Sequence, residues 1–171
     1  AQQNGESDIS VSMPTTSLEQ LNDTSLYNVD GVPGSRGQVI FMNFSNKFLQ
    51  EEAIRQAISM SIDKQSYADI INKGASVPAS GLYPDFMAFG GAAGYSYDID
   101  QANSGLDAAG IVDTDGDGIR ELDGENISLR LLTYSTKAEL ASFCNEIASS
   151  AKSIGIDISV EIYESVVEQI G

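Results

Sequence analysis

The segment 127–163 constrains the fold more than any other part of the chain. "ISLRLLTYS" (127–135) puts Ile127, Leu129 and Leu131 on one face of a strand. The stretch after it carries Leu140, Phe143, Cys144, Ile147, Ala148, Ala151 and Ile154 at helical spacing, and Gly155 stops it. Thr136 and Glu139 stand three apart at its start, the spacing of a capping box. "IDISVEIY" (156–163) then alternates, Ile156, Ile158, Val160 and Ile162 against Asp157, Ser159, Glu161 and Tyr163. Strand, helix, strand in so short a span is a βαβ unit, which calls for parallel strands and a right-handed crossover. The expected class is therefore α/β, a mixed sheet flanked by helices.

Upstream, "QVIFMNFS" (38–45) is apolar on both faces, as expected of a strand buried inside a sheet. "DISVS" (8–12) alternates like a short strand, and Thr16 with Glu19 forms a capping box for a short helix through Leu18 and Leu21. "EEAIRQAISMSI" (51–62) places Ile54, Ile58 and Ile62 on one stripe, widened by Ala53 and Ala57, with two acids in its first turn. Asp63 caps a second helix, with Tyr67, Ile70 and Ile71 inward and Gly74 at its end. Arg55 and Asp63, at the two ends of the first long helix, suit an ion pair or a cap. Residues 75–97 show no period; their Tyr and Phe either line a cleft or plug the core. "DQANSGLDAAG" (100–110) reads as a helix on Ala102, Leu106 and Ala109, closed by Gly110. A third capping box, Ser165 and Glu168, opens a helix that stops at Gly171. An isolated turn of helix is not stable, so the chain is expected to be a piece of a longer protein.

A chain of 171 residues makes one ordinary domain with a real core, residues 1–171. Its net charge of -16 repels phosphate backbones and anionic membrane surfaces, which argues against nucleic acid as a partner. No run of 18 apolar residues is present to span a membrane. "AQQNGESDIS" has neither the basic start nor the apolar stretch of a signal peptide. The absence of histidine excludes His-based triads and His-ligated zinc within this chain. Cys144, the one cysteine, falls on the buried helix stripe and behaves there as a small hydrophobe. No acidic pair is singled out by spacing for acid–base chemistry, so the expectation is a protein that is not an enzyme and needs no cofactor.

"DTDGDGIRELDG" (113–124) admits two readings. Asp113, Asp115 and Asp117 alternate as in a calcium loop, and Gly118 follows them. A hand-type loop also needs a bidentate Glu at its twelfth position. That position is Gly124, Glu125 comes one place late, and a strand follows. Glu121 would close a smaller calcium site with the three aspartates. Alternatively, Asp117-Gly118 and Asp123-Gly124 are turns, the second joining a short strand "IREL" to the strand at 127.

The order of segments resembles the extracellular solute-binding proteins of the oligopeptide, dipeptide and nickel ABC importers. Asn43, Ile54, Arg55, Gln56, Ala57, Ile58, Ile62 and Asp63 follow that family's "N…RQA…D" stretch. Gly74, Pro78, Gly81 and Pro84 follow its next loop, and Tyr97, Asp98, Ala102, Leu106, Ala109 and Gly110 its "YD…A…L…AG". The resemblance implies one lobe, much of the second, of a two-lobed periplasmic-binding-protein-like fold that closes on its ligand. It implies a receptor for a peptide or small solute, working with ABC permease subunits in the membrane. A nickel or metal-chelate receptor is the nearer alternative, and a calcium-binding extracellular interaction module the more distant one. The protein would be a cell-surface lipoprotein in a Gram-positive bacterium or periplasmic in a Gram-negative one. In such receptors an acidic insertion before a strand is common, which favours the turn reading. The acidic residue that holds a peptide's amino terminus would lie beyond residue 171. Ligands of α/β units approach the carboxyl ends of strands, which here are Thr133, Tyr134 and Ser135; the resemblance places Tyr134 at the cleft and adds Asn43.

Overall fold

The computed structural model describes residues 7–11, 17, 21, 25–31, 34–71, 74, 76–91 and 94–167. The cap at Thr16 and Glu19, and Glu168 of the last capping box, lie outside the described residues. In chain order the elements are α1 (Lys47–Gln50), α2 (Glu52–Ser61), α3 (Lys64–Ser66, running on as a π-helical turn, Tyr67–Ile71) and α4 (Ile99–Ala108). Then come β1 (Glu121–Leu122), β2 (Glu125–Asn126), β3 (Ser128–Tyr134), α5 (Ala138–Lys152) and β4 (Asp157–Tyr163). The fold is mixed α/β, with its strands in two two-stranded sheets. No helix among the described residues is long and apolar enough to cross a membrane.

The βαβ unit forms as its periodicity dictates. β3 and β4 pair in parallel, from Ser128 opposite Asp157 to Tyr134 opposite Tyr163. Buried Cys144, Ile147 and Ala151 of α5 lie on the helix stripe, and Leu129 and Thr133 are the buried residues of β3. A single core joins this unit to the helices before it: Ile54, Ala57 and Ile58 of α2, Ala102 and Leu106 of α4, then Ile111, Ile127, Ile154 and Ile156. Each buried Ile or Leu contributes about 1.5–3 kcal/mol. Asp63 caps α3 as expected, accepting from Ser66 N.

Several expectations fail for local reasons. Residues 8–11 form no strand, and Ile9 and Val11 are exposed. Residues 38–43 form no strand and belong to no ladder. Gln38, Ile40 and Met42 are half-buried while Val39, Phe41 and Asn43 are exposed, so only one face is covered. Among the described residues no strand pairs with them. The capping box of Thr136 and Glu139 does not form, because the helix starts at Ala138 and Lys137 occupies the cap without a side-chain bond. Ile70 is exposed: the wider π turn brings Tyr67 and Ala68 inward instead. Ala109 lies past the end of α4 and is exposed as well. Tyr83, Phe86, Phe89 and Tyr95 do not plug the core; all four are exposed.

Two helix ends meet at one side chain. α4 closes with Ile111 N donating to Leu106 O, and α5 with Ile156 N donating to Ala151 O. Gly110 and Gly155 take the left-handed conformation that such caps need, with φ of 76° and 77°. Arg120 lies between them. Its Nε donates to Ile154 O (3.0 Å), its Nη1 to Ile111 O (2.6 Å) and Asp107 Oδ1 (2.6 Å), and its Nη2 to Asn103 Oδ1 (3.1 Å). Its backbone N–H donates to Gly155 O at 2.7 Å. A Cβ at position 155 would stand 2.8 Å from Arg120 Cγ. Gly155→Ala therefore combines left-handed strain with a clash against the clamp. It should lower unfolding stability by about 1–3 kcal/mol in urea titrations, whereas Gly105→Ala, with open space around it inside α4, should be neutral or stabilising.

Candidate functional site

The carboxyl ends of β3 and β4 lie side by side, and strand alternation sorts their side chains. Thr133 is buried, on the side of β3 that faces Cys144 of α5. Burial pushes the Cys144 thiol above its ordinary pKa, with Thr133 acting the other way. Thr133 therefore lies under the surface. Tyr134 belongs to the opposite face and is half-buried; Ser135 is exposed, and its N–H donates to Tyr163 O at 2.8 Å. Of the three sequence candidates, two reach the surface. Asn43 is not brought to them by any contact among the described residues. Its Oδ1 accepts from Ser45 N (2.9 Å) and its carbonyl from Asn46 N (3.0 Å), building the turn that precedes α1.

The face that carries Tyr134 also carries Arg130 and, by register, Ser159, Glu161 and Tyr163. Arg130 grips Glu161 with a bidentate pair, Nε–Oε1 and Nη2–Oε2 both 2.7 Å. The Tyr163 hydroxyl donates to Glu161 Oε2 at 2.5 Å. Tyr163, the register partner of Tyr134, was not singled out from the sequence. Its signal was present in the alternation of 156–163, which puts it last on the polar face. The Arg130 bond, then the Tyr163 bond, draws the Glu161 carboxyl down to about 2. The same hydroxyl bond to Glu161 raises the Tyr163 phenol.

The acidic loop sits at the other end of β3. Asn126 Nδ2 donates to Asp117 Oδ2 (2.6 Å) just before β3 begins. Seven residues of strand at ~3.3 Å each leave roughly 20 Å between this loop and Tyr134, too far for one small-solute site. Asp113, Asp115 and Asp117 are exposed and each offers an oxygen within 4.8 Å of the others. Those oxygens also hold the loop's own backbone. Asp113 accepts from Gly116 N (2.7 Å) and Gly118 N (2.9 Å), Asp115 from Asp117 N (3.0 Å), and Asp117 from Ile119 N (2.7 Å). Glu121 stands apart from the three: both its oxygens accept from Thr114, at N (2.9 Å) and Oγ1 (3.1 Å). Asp123 and Gly124, at φ 54° and 76°, turn β1 into antiparallel β2. Both central residues with positive φ make this the tight hairpin turn. The strand read as "IREL" is thus reduced to Glu121–Leu122, and its partner is β2 rather than β3.

Two measurements follow from these networks. Glu161 has a folded-state pKa below its ordinary 4.5, so its contribution is present above about 4.5 and is lost as pH falls toward about 2. Its carboxyl resonance should titrate near 2 by NMR, and return toward 4.5 in Arg130→Ala. Asp113→Ala should cost about 1 kcal/mol of stability, because two loop N–H groups lose their acceptor. Millimolar calcium should leave the Tm of the unaltered chain within a degree; a saturated specific site would add about 2.7 kcal/mol at a hundred times its Kd.

The family model for "Bacterial extracellular solute-binding proteins, family 5 Middle" matches residues 1–170. The oligopeptide-binding protein AppA of Bacillus subtilis is 28% identical over 134 residues, covering 75% of this chain and 25% of AppA. Its structure with a nonapeptide superposes with a TM-score of 0.60. The oligopeptide-binding protein OppA of Lactococcus lactis is 30% identical over 116 residues, 66% of this chain and 19% of OppA. NikA from Brucella suis, solved with Fe(III)-EDTA, gives a TM-score of 0.66 at 26% identity, over 75% of this chain and 26% of NikA. The chain thus spans a quarter or less of the length of these curated relatives, and its structural neighbours are two-lobed binding proteins. By a match over nearly its whole length, the chain belongs to the family 5 extracellular solute-binding proteins.

Proposed function

We propose that this chain is most of one lobe of a peptide receptor that delivers its ligand to the permease of an ABC importer. The observation that carries the reading is the family match over residues 1–170, together with two oligopeptide-binding relatives. The receptor works outside the cytoplasm, as a lipid-anchored surface protein or in a periplasm, and captures solute without chemical change. The likeness to a metal-chelate-bound NikA supports a second reading, a receptor for a nickel complex.

The proposed contact surface is the open end of the β3–β4 sheet, with Tyr134 and Ser135 from β3 and its following turn, and Tyr163 beside them. Aromatic side chains suit this task, since each buries a large area while losing few rotamers on binding. Calorimetric titration of the family-length receptor with a peptide pool, and separately with nickel plus histidine, separates the two readings. Heat from the nickel arm alone overturns the peptide reading. Tyr134→Ala should weaken solute binding by about 1 kcal/mol with little loss of fold, and unchanged affinity removes Tyr134 from the site.

A further inference from the structure

Three Asp–Gly steps lie in or beside the acidic loop: Asp115–Gly116, Asp117–Gly118 and Asp123–Gly124. At such a step no side chain shields the glycine nitrogen from the aspartate carboxyl, and ring closure between the two begins the conversion of aspartate to isoaspartate. All three steps are exposed, and hydrogen bonding is what distinguishes them. Gly116 N and Gly118 N donate to Asp113, at Oδ1 (2.7 Å) and Oδ2 (2.9 Å). The carboxyls are tied as well. Asp115 Oδ1 accepts from Asp117 N (3.0 Å), and Asp117 accepts from Ile119 N (2.7 Å) and Asn126 Nδ2 (2.6 Å). At Asp123–Gly124 neither the carboxyl nor the glycine N–H has a hydrogen bond among the described residues. The same holds for a fourth step, Asp30–Gly31, in an irregular segment.

The hairpin adds a second difference. Asp123 and Gly124 join strands of two residues each. So short a hairpin carries little pairing of its own, and its tip opens at low cost. Opening lets the Asp123 side chain swing onto the Gly124 nitrogen. At Asp115 and Asp117 the same rotation must first break the nitrogen's bond to Asp113 and the carboxyl's own bond. Two ordinary hydrogen bonds slow the step by about tenfold or more.

We infer that Asp123–Gly124 is a site of spontaneous aspartate isomerisation in the folded chain, and that the Asp113 carboxylate keeps the two neighbouring steps from the same reaction. The Gly124 nitrogen bonds to Asp123 Cγ, a Cγ–O bond breaks, and the oxygen leaves as water with the amide hydrogen and the carboxyl proton. Water then adds to the main-chain carbonyl of the ring and breaks its bond to nitrogen, which leaves the chain joined through the side chain. The water lost is regained, and no oxidant or cofactor takes part. The backbone grows by one methylene. A two-residue turn with both φ positive is matched to its strands as they stand. The longer turn therefore loosens the pairs Glu121–Asn126 and Leu122–Glu125, and with them the ion pair of Glu125 with Lys47. This holds whatever solute the receptor takes.

The test ages the family-length receptor at neutral pH and physiological temperature and then maps it with trypsin. The peptide Glu121–Arg130 contains Asp123 as its one aspartate, and electron-transfer fragmentation distinguishes isoaspartate from aspartate at equal mass. Expected is isoaspartate at Asp123 at about ten times the rate at Asp115 and Asp117, with Asp30 as the reference for a step that nothing holds. When the receptor is digested before ageing, the three rates should be comparable. Asp113→Ala should raise the rates at Asp115 and Asp117 and leave Asp123 unchanged. A rate at Asp123 no higher than at Asp115 and Asp117 in the unaltered receptor overturns the inference, and this arm needs no variant to fold. The same spread of rates in the predigested peptides assigns it to local sequence rather than to the fold, and also overturns it. A rise at all three sites in Asp113→Ala, Asp123 included, assigns Asp113 to folding and overturns its protective role.

Discussion

Arg120 holds together elements that apolar contact alone would leave loosely joined. Helix carboxyl ends carry unsatisfied carbonyls and partial negative charge. Two such ends, those of α4 and α5, converge where β1 begins, and one guanidinium satisfies carbonyls next to both. Its side chain is 13% exposed and its charge is balanced by Asp107. An arginine that loses most of its water needs this full set of partners. The left-handed turn at Gly155 exists in the same space, since any side chain there would displace the arginine stem. The position of β4 beside β3 follows from that turn, because Ile156 and Asp157 leave it directly into the strand.

The sequence made legible what is local and periodic. The βαβ unit, the stripe of α2 and the Asp63 cap formed where their residues predicted. So did the glycine stops at 110 and 155, and the family resemblance carried the fold class. The failures share a cause, which is that periodicity reports which faces are apolar and not what covers them. Residues 38–43 have the composition of a buried strand, yet a strand needs a neighbour to complete its hydrogen bonds, and here only one face is covered. The Thr136 cap failed because the turn tied to Tyr163 delays the helix until Ala138. Arg120 left no trace in the pattern; a residue that joins three distant segments is visible only once they have met.

The same limit governs the candidate site. Alternation placed Tyr134 on the polar face, but its companion Tyr163 becomes apparent only through register. Thr133 looked equivalent to its neighbours and is instead turned inward to Cys144. In the acidic loop the spacing of the aspartates admits both a turn and a cation site, and the turn geometry is what the loop shows. The hydrogen bonds show each aspartate carboxylate already engaged with backbone N–H groups, while Glu121 is taken up by Thr114.

The pairing of β3 with β4 also bears on the order in which the chain folds. Ser128 and Asp157 are 29 residues apart, so their contact closes a loop and carries an entropy cost that α5, built from neighbours four apart, does not. The helix is expected to appear first and to shorten that search. Arg120 is expected to close afterwards, since its partners come from both helix ends. Interactions formed after the rate-limiting step slow unfolding more than they speed folding. The clamp therefore lengthens the lifetime of the folded chain, and with it the time before an opened chain is exposed to proteases.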